Sequence, residues 1–215
     1  MSVHSLEVLR SWIVIAYVAI DRGQISRDRL RGMIAGESPR LIELPGGPLI
    51  VQYEALPGTE CLINDRRIYL NQASPTEPGE GNLAEMATVA AAAIPGTTMI
   101  AYGKNFEVEG SIEGVDNIGH FLRDRFLQDL AKLETAFGGP VLWLSPNLKY
   151  VVGDVEYQLR IGRHQKYDTI FKAHLNIHHA TDSLPGLEEL RRELRDGFHY
   201  LRGLLDKVLS GRGTS

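Results

Sequence analysis

Histidines are concentrated late in the chain, where five of the seven lie between positions 164 and 199. His174 and His178 are four residues apart, a spacing that on a helix can place two imidazoles around one zinc ion. Residues 170–178, however, alternate strictly between apolar and polar side chains, which predicts a half-buried strand. On a strand the two rings lie about 13 Å apart along the backbone. We therefore predict no metal site. His174 and Asn176 share one sheet face and can contribute to a polar ligand site, and the alternatives are a surface histidine that binds no ligand and a pH-sensitive contact.

Two carboxylates, Glu107 and Glu109, fall on the same face of a second predicted strand at residues 99–112. Their separation of about 7 Å suits paired-carboxylate chemistry or a divalent cation. The alternatives are a solvated sheet face and an internal charge pair with Arg160 from a neighbouring strand.

A polar turn at residues 162–167 precedes the strand that carries His174. His164 and Asp168 in and beside this turn suit acid–base chemistry, although such residues are also common in turns that only face solvent. No residue is assigned a catalytic role. The predicted ligand-binding set comprises His164, Asp168, His174, Asn176, Glu107, Glu109 and Arg160.

Recognised catalytic and cofactor motifs are absent from the sequence, so no cofactor is predicted. The glycine pairs at 46–47 and 138–139 are each followed by proline, which lacks the N–H that a phosphate loop uses, and they predict turns. Cys61 is the only cysteine, which excludes an intramolecular disulfide. Its apolar context predicts an inert buried thiol.

The order of predicted elements indicates an α+β fold with antiparallel sheets, helices packed on one side and a long C-terminal helix. Residues 12–20 read as a strand with two apolar faces, as in a central strand covered on both sides. Further predicted strands lie at 41–44, 49–54, 60–63, 67–72, 99–112, 141–144, 149–152, 156–161 and 169–178, and predicted helices at 27–35, 83–94, 117–137 and 184–209.

The order of strand, helix, antiparallel strands and helix occurs twice, which predicts two β-α-β(3-4)-α repeats. Residues 15–17 and 100–102 both read Ile-Ala-Tyr, and the two Gly-Gly-Pro strings give a second echo. We place the halves at residues 1–95 and 96–215, either as two domains or as one merged domain, with a loop at 73–82.

Composition limits the partners of the protein. A net charge of −4 and a pI near 6.0 make nucleic acid an improbable partner, since a basic face is the usual signature. The longest apolar run has nine residues, whereas a membrane helix needs about 20. The amino terminus lacks the features of an export signal, and with the single cysteine this predicts a cytoplasmic location.

The C-terminal helix carries the clearest partner signal, an apolar stripe along about 26 residues or about 39 Å. A stripe that overhangs the sheet predicts a homo-oligomer, and a stripe that packs on its own sheet is the alternative. The sequence predicts a non-enzymatic, self-associating binding or scaffold protein that contacts a protein or small ligand through its sheet faces. The alternative is an enzyme acting on a small polar or phosphorylated substrate.

Overall fold

The computed structural model describes residues 2–75 and 77–209, which form nine strands, five α-helices and a short 3-10 turn at Arg22–Gln24. The strands are β1 Val3–Tyr17, β2 Arg40–Glu43, β3 Leu49–Gln52, β4 Glu60–Ile63, β5 Arg67–Ala73, β6 Met99–Ile112, β7 Asn147–Val152, β8 Val155–Arg163 and β9 Ile170–His179. The helices are α1 Arg27–Arg31, α2 Leu83–Ala92, α3 Ile118–Phe126, α4 Leu130–Phe137 and α5 Leu187–Leu209.

All nine strands belong to one antiparallel sheet in the order β2-β3-β4-β5-β1-β6-β9-β8-β7. The two predicted groups of strands merge because β1 and β6, the two longest strands, pair along almost their whole length. The α+β class, the antiparallel pairing and the long terminal helix are confirmed. The strand over residues 170–178, on which the metal argument depended, is also confirmed as β9.

Helices α2, α3 and α5 pack on one face of this sheet, where alternate side chains of the central strands are buried. The β1 residues Ile13 and Ile15 are fully buried on that face, while Trp12, Val14 and Ala16 on the opposite face are only half-buried. The prediction that this strand is covered on both sides was therefore wrong. The face of β1 that carries Trp12, Val14 and Ala16 is apolar but remains partly exposed to solvent.

Several predicted elements differ from the structure. The first strand, expected at residues 12–20, spans Val3–Tyr17 instead. The helix expected at 117–137 is broken, because Leu127 and Asp129 leave helical backbone angles between α3 and α4. The segment 141–144 is not a strand, since side chains take the backbone groups of Val141 that a ladder would use. Its N–H donates to Glu134 and its carbonyl accepts from Arg123.

The apolar stripe of α5 is buried within the chain, at Leu190, Leu194, Gly197, Leu201, Leu205 and Leu209. The overhang that predicted a second copy is not present in the described helix. No helix in the described ranges is both long enough and apolar enough to cross a membrane.

Candidate ligand site on the open face of the sheet

The sheet face that the helices leave uncovered, called the open face below, is formed by the outward residues of the central strands. The strand register places them in cross-strand rows. One row contains Arg10, Glu107, His174 and Arg160, and the next contains Trp12, Asn105, Asn176 and Gln158.

A continuous chain of contacts joins the first row to the second. Arg10 Nε donates to Glu107 Oε2 over 2.5 Å, and the same guanidinium lies 4.7 Å from the centre of the Trp12 ring. The Trp12 ring then stacks on the imidazole of His174, with centroids 4.9 Å apart. A cation, an anion and two aromatic rings are therefore fixed relative to one another on the open face.

Asn105 lies beneath this chain of contacts and is only 4% exposed. Its Oδ1 accepts hydrogen bonds from Asn176 Nδ2 at 2.8 Å and from His174 Nε2 at 3.1 Å. Its Nδ2 is buried and has no hydrogen-bond partner among the described residues. A buried donor left unpaired costs about 1–3 kcal/mol, so this amide is a point where a ligand acceptor is favoured.

The surroundings of His174 favour its neutral form. Burial lowers its pKa below the ordinary value, the charge of Arg160 lowers it further, and Glu107 opposes the shift. Because Asn105 Oδ1 can only accept, the proton of the neutral ring is on Nε2. The imidazole therefore acts here as a donor that orients the amide of Asn105.

A cavity of about 230 Å³ opens on the same face beside Asn105. Small residues from β1 and β6 form its floor, at Val14, Ala16, Ala101 and Gly103. A side chain on Gly103 would intrude, because its Cβ would lie 3.3 Å from Asn176 Nδ2 and 4.0 Å from Asn105 Nδ2. The unpaired amide therefore borders the floor of the cavity.

The walls of this cavity are rich in hydrogen-bond donors, at Arg67, Tyr69, Asn105, Asn176 and His178. No aspartate or glutamate lines it in the described part of the chain. Arg67 Nη1 donates to the Tyr69 hydroxyl at 3.3 Å and has no acidic partner there. The cavity thus combines an apolar floor with donors and one positive charge.

The structure brings most of the predicted ligand-binding residues together on the open face. Glu107, His174 and Arg160 are cross-strand neighbours, and Asn176 is two residues from His174 on β9. Of these, Asn176 lines the cavity, while the other three lie beside it.

Glu109 and His164 form a separate pair nearer the other end of β6, with Oε2 and Nε2 4.0 Å apart. The His164 ring also stacks on Tyr167. Asp168 is apart from all of them. Its carboxylate accepts from Arg163 at 3.2 Å, and its carbonyl accepts from the first N–H of α3.

Residues that sequence reasoning missed include Trp12, Arg10, Asn105 and Gly103. Asn105 shares the two-residue period of Glu107, so that signal was present in the sequence. Trp12 was misread because its neighbours made the strand look apolar on both faces. In the residues that the structure describes, no three of the histidine, cysteine, aspartate and glutamate side chains are grouped as metal ligands.

A second polar cluster lies on the helix-covered face, between β6 and α5. Lys104, only 3% exposed, donates to Glu193 Oε2 over 2.5 Å, and the Tyr102 hydroxyl donates to the same oxygen at 2.8 Å. His179 stacks on the Tyr102 ring with centroids 4.6 Å apart. Burial lowers the pKa of Lys104, and Glu193 opposes the shift. This cluster anchors the C-terminal helix to the sheet.

Comparison with known proteins gives no family for the chain. No protein-family profile matches it, and the search of curated proteins found no similar sequence.

Proposed function

We propose that the protein is a non-enzymatic binding protein that holds a small polar ligand in the cavity of the open face. The observation that carries this proposal is the unpaired Nδ2 of Asn105 beside a donor-rich, acid-free cavity with an apolar floor. The cavity has the usual composition of small-molecule sites, which are mostly apolar with a few converging polar groups.

The stacked pair of Trp12 and His174 supports a pre-formed site. Asn105 is held by two hydrogen bonds, and one of the two donors is itself held by stacking. A ligand that meets side chains already fixed in place loses less binding energy to ordering them. The arrangement therefore favours recognition through the amide groups of Asn105 and Asn176.

The experiment uses the two tryptophans as paired reporters. Trp12 borders the open face, whereas Trp143 lies in the segment between α4 and β7. With both indoles labelled with fluorine, a library of small polar aromatic compounds is screened by ¹⁹F NMR. We expect hits that shift the Trp12 signal and leave the Trp143 signal in place.

A cavity-filling variant supplies the control. Ala16→Leu places a larger side chain on the cavity floor, and Ala131→Leu makes the same change on the exposed surface of α4. Ala16→Leu should abolish the Trp12 shifts, and Ala131→Leu should keep them. Hits that bind Ala16→Leu as well as the unaltered protein would refute the site.

We also infer that the two halves of the chain are structural repeats. In each half the first strand pairs with the last, β1 with β5 and β6 with β9. The two Ile-Ala-Tyr strings face each other across the β1–β6 pair, with Ala16 opposite Ala101, as a pseudo-twofold axis between equivalent strands requires. The cavity, which both alanines line, would then lie on this axis where residues 1–95 meet residues 96–215.

Self-association and a cytoplasmic location remain sequence-based proposals. Because the stripe of α5 is buried within the chain, a second copy would need a different apolar surface. Light scattering tests this directly, since a homodimer has twice the chain mass of 23.9 kDa.

A further inference from the structure

A second depression of about 550 Å³ adjoins the cavity, at the end of the sheet where the β2–β3 and β4–β5 turns lie. Arg67 and Tyr69 line both spaces, so the two adjoin at these side chains, and together they are called the groove below. The depression is lined by Arg22, Arg66 and Arg67, and this part of the groove is called the arginine end below.

The charges at the arginine end do not balance. Its three arginines face one acid, Asp65, so the formal charge of the lining is +3 − 1 = +2. Asp65 is already paired, because its Oδ1 lies 2.7 Å from Arg22 Nη2. Arg22 also donates to the carbonyl of Gly47. Within the ranges that the structure describes, this leaves Arg66 and Arg67 without an acidic partner.

Two acids of the open face beside the groove are paired with other side chains. Glu107 pairs with Arg10, and Glu156, opposite His178 in the strand register, pairs with Lys149 at 2.8 Å. The described lining of the groove therefore presents uncompensated positive charge at one end and no acid other than the paired Asp65. Such a surface attracts a ligand of negative charge.

The strand register gives the length over which the ligand would extend. Arg67 lies opposite Ala16, and Asn105 lies opposite Trp12, four residues further along β1. Four strand residues span about 13 Å, and an arginine side chain shortens the gap from one end. A small organic molecule can therefore reach from the arginine end to the Asn105 amide.

We propose that the ligand is a small phosphorylated compound whose phosphate lies against Arg66 and Arg67 and whose uncharged body covers the cavity floor beside Asn105. This inference rests on the proposed function. A phosphate monoester carries about −1.5 to −2 charges at pH 7 and three acceptor oxygens, which matches two free guanidinium groups better than a carboxylate does.

The test compares three probes that share one aromatic ring: phenyl phosphate, benzoate and benzyl alcohol, with inorganic phosphate as a fourth. Binding is followed by the ¹⁹F signal of Trp12 and by calorimetry at low ionic strength. We expect phenyl phosphate to bind at least tenfold more tightly than benzyl alcohol, with benzoate between them. Added salt should weaken phenyl phosphate most, because exposed charges are screened.

A charge-matched pair of variants locates the phosphate. Arg66→Gln/Arg67→Gln should weaken phenyl phosphate at least tenfold and leave benzyl alcohol unchanged. Arg31→Gln/Arg191→Gln removes the same charge from exposed helical ion pairs, and should leave every probe unchanged. Circular dichroism confirms that each variant keeps its fold.

The outcomes separate this inference from the proposed function. If benzyl alcohol binds as tightly as phenyl phosphate and only Ala16→Leu removes both, the cavity is a ligand site but the phosphate assignment is wrong. If inorganic phosphate binds as tightly as phenyl phosphate and both still bind Ala16→Leu, the arginines bind phosphate without the cavity. The claim that one ligand occupies both spaces is then refuted. If none of the four probes binds, the inference also falls.

Discussion

The indole of Trp12 and the imidazole of His174 stack nearly parallel, with 12° between their planes, although strand β6 lies between the strands that carry them. The two rings meet across β6, where Asn105 is the residue opposite Trp12. This stacking removes His174 from water while its Nε2 remains bonded to Asn105. The burial that lowers the pKa of His174 is therefore partly supplied by Trp12.

Removing the indole should raise the pKa of His174. In Trp12→Ala the imidazole regains solvent, so its pKa should move up toward the ordinary value of 6.5. A ¹H NMR titration of the ring protons measures the shift. Trp143→Ala, which removes the other tryptophan, should leave the His174 titration where it was. An unchanged His174 pKa in Trp12→Ala would show that burial by the indole is not the cause.

The free energy of unfolding should fall as the pH is lowered below about 6.5, the ordinary pKa of histidine. Burial lowers the pKa of both His174 and His179, and nearby Lys104 lowers that of His179 further. Between the ordinary value of 6.5 and the lower folded values, the unfolded chain binds more protons than the folded one. The stabilisation present above pH 6.5 is therefore lost as the pH falls toward the folded values.

Urea unfolding at a series of pH values measures this loss. His174→Gln/His179→Gln should flatten the dependence of the unfolding free energy on pH in this window. His4→Gln, at an exposed position, serves as the control for removing a histidine. A slope that the double variant leaves intact would contradict the prediction.

The two-residue period of residues 170–178 was sufficient to predict a strand, the exclusion of a His174–His178 metal pair and the common face of His174 and Asn176. The same reasoning could not predict the site, because Trp12 and Asn105 meet His174 only through the order of β1, β6 and β9 in the sheet. Local periodicity fixes the face of a side chain, but strand order comes from pairing between distant segments. The break at Leu127 was also unpredictable, since neither glycine nor proline marks it.

Removing one partner of the ion pair between Lys104 and Glu193 should lower the free energy of unfolding more than removing both partners. Glu193→Ala leaves the buried ammonium of Lys104 without its counter-charge, and removing one partner of a buried pair costs about 3–5 kcal/mol. We expect about 3 kcal/mol, because the Glu193 side chain is partly exposed. Lys104→Met/Glu193→Ala removes both charges and should recover part of this loss. Urea unfolding compares the variants, and a double variant less stable than Glu193→Ala would contradict the account.

Two glycines within α5 should respond oppositely to the same substitution. Sequence reasoning treats Gly197 and Gly203 alike, as positions where alanine would strengthen the helix by about 1 kcal/mol. In the structure, a Cβ on Gly197 would lie 2.9 Å from the Phe106 ring and 3.0 Å from Ile177, whereas a Cβ on Gly203 meets nothing within 4 Å. Gly203→Ala should therefore raise the unfolding free energy by up to about 1 kcal/mol. Gly197→Ala should lower it by about 1–3 kcal/mol, because an extra methyl in a packed core forces its neighbours to move. Urea unfolding of the two variants measures both effects, and equal stabilisation by both would show that α5 does not pack closely on β6 and β9 at this point.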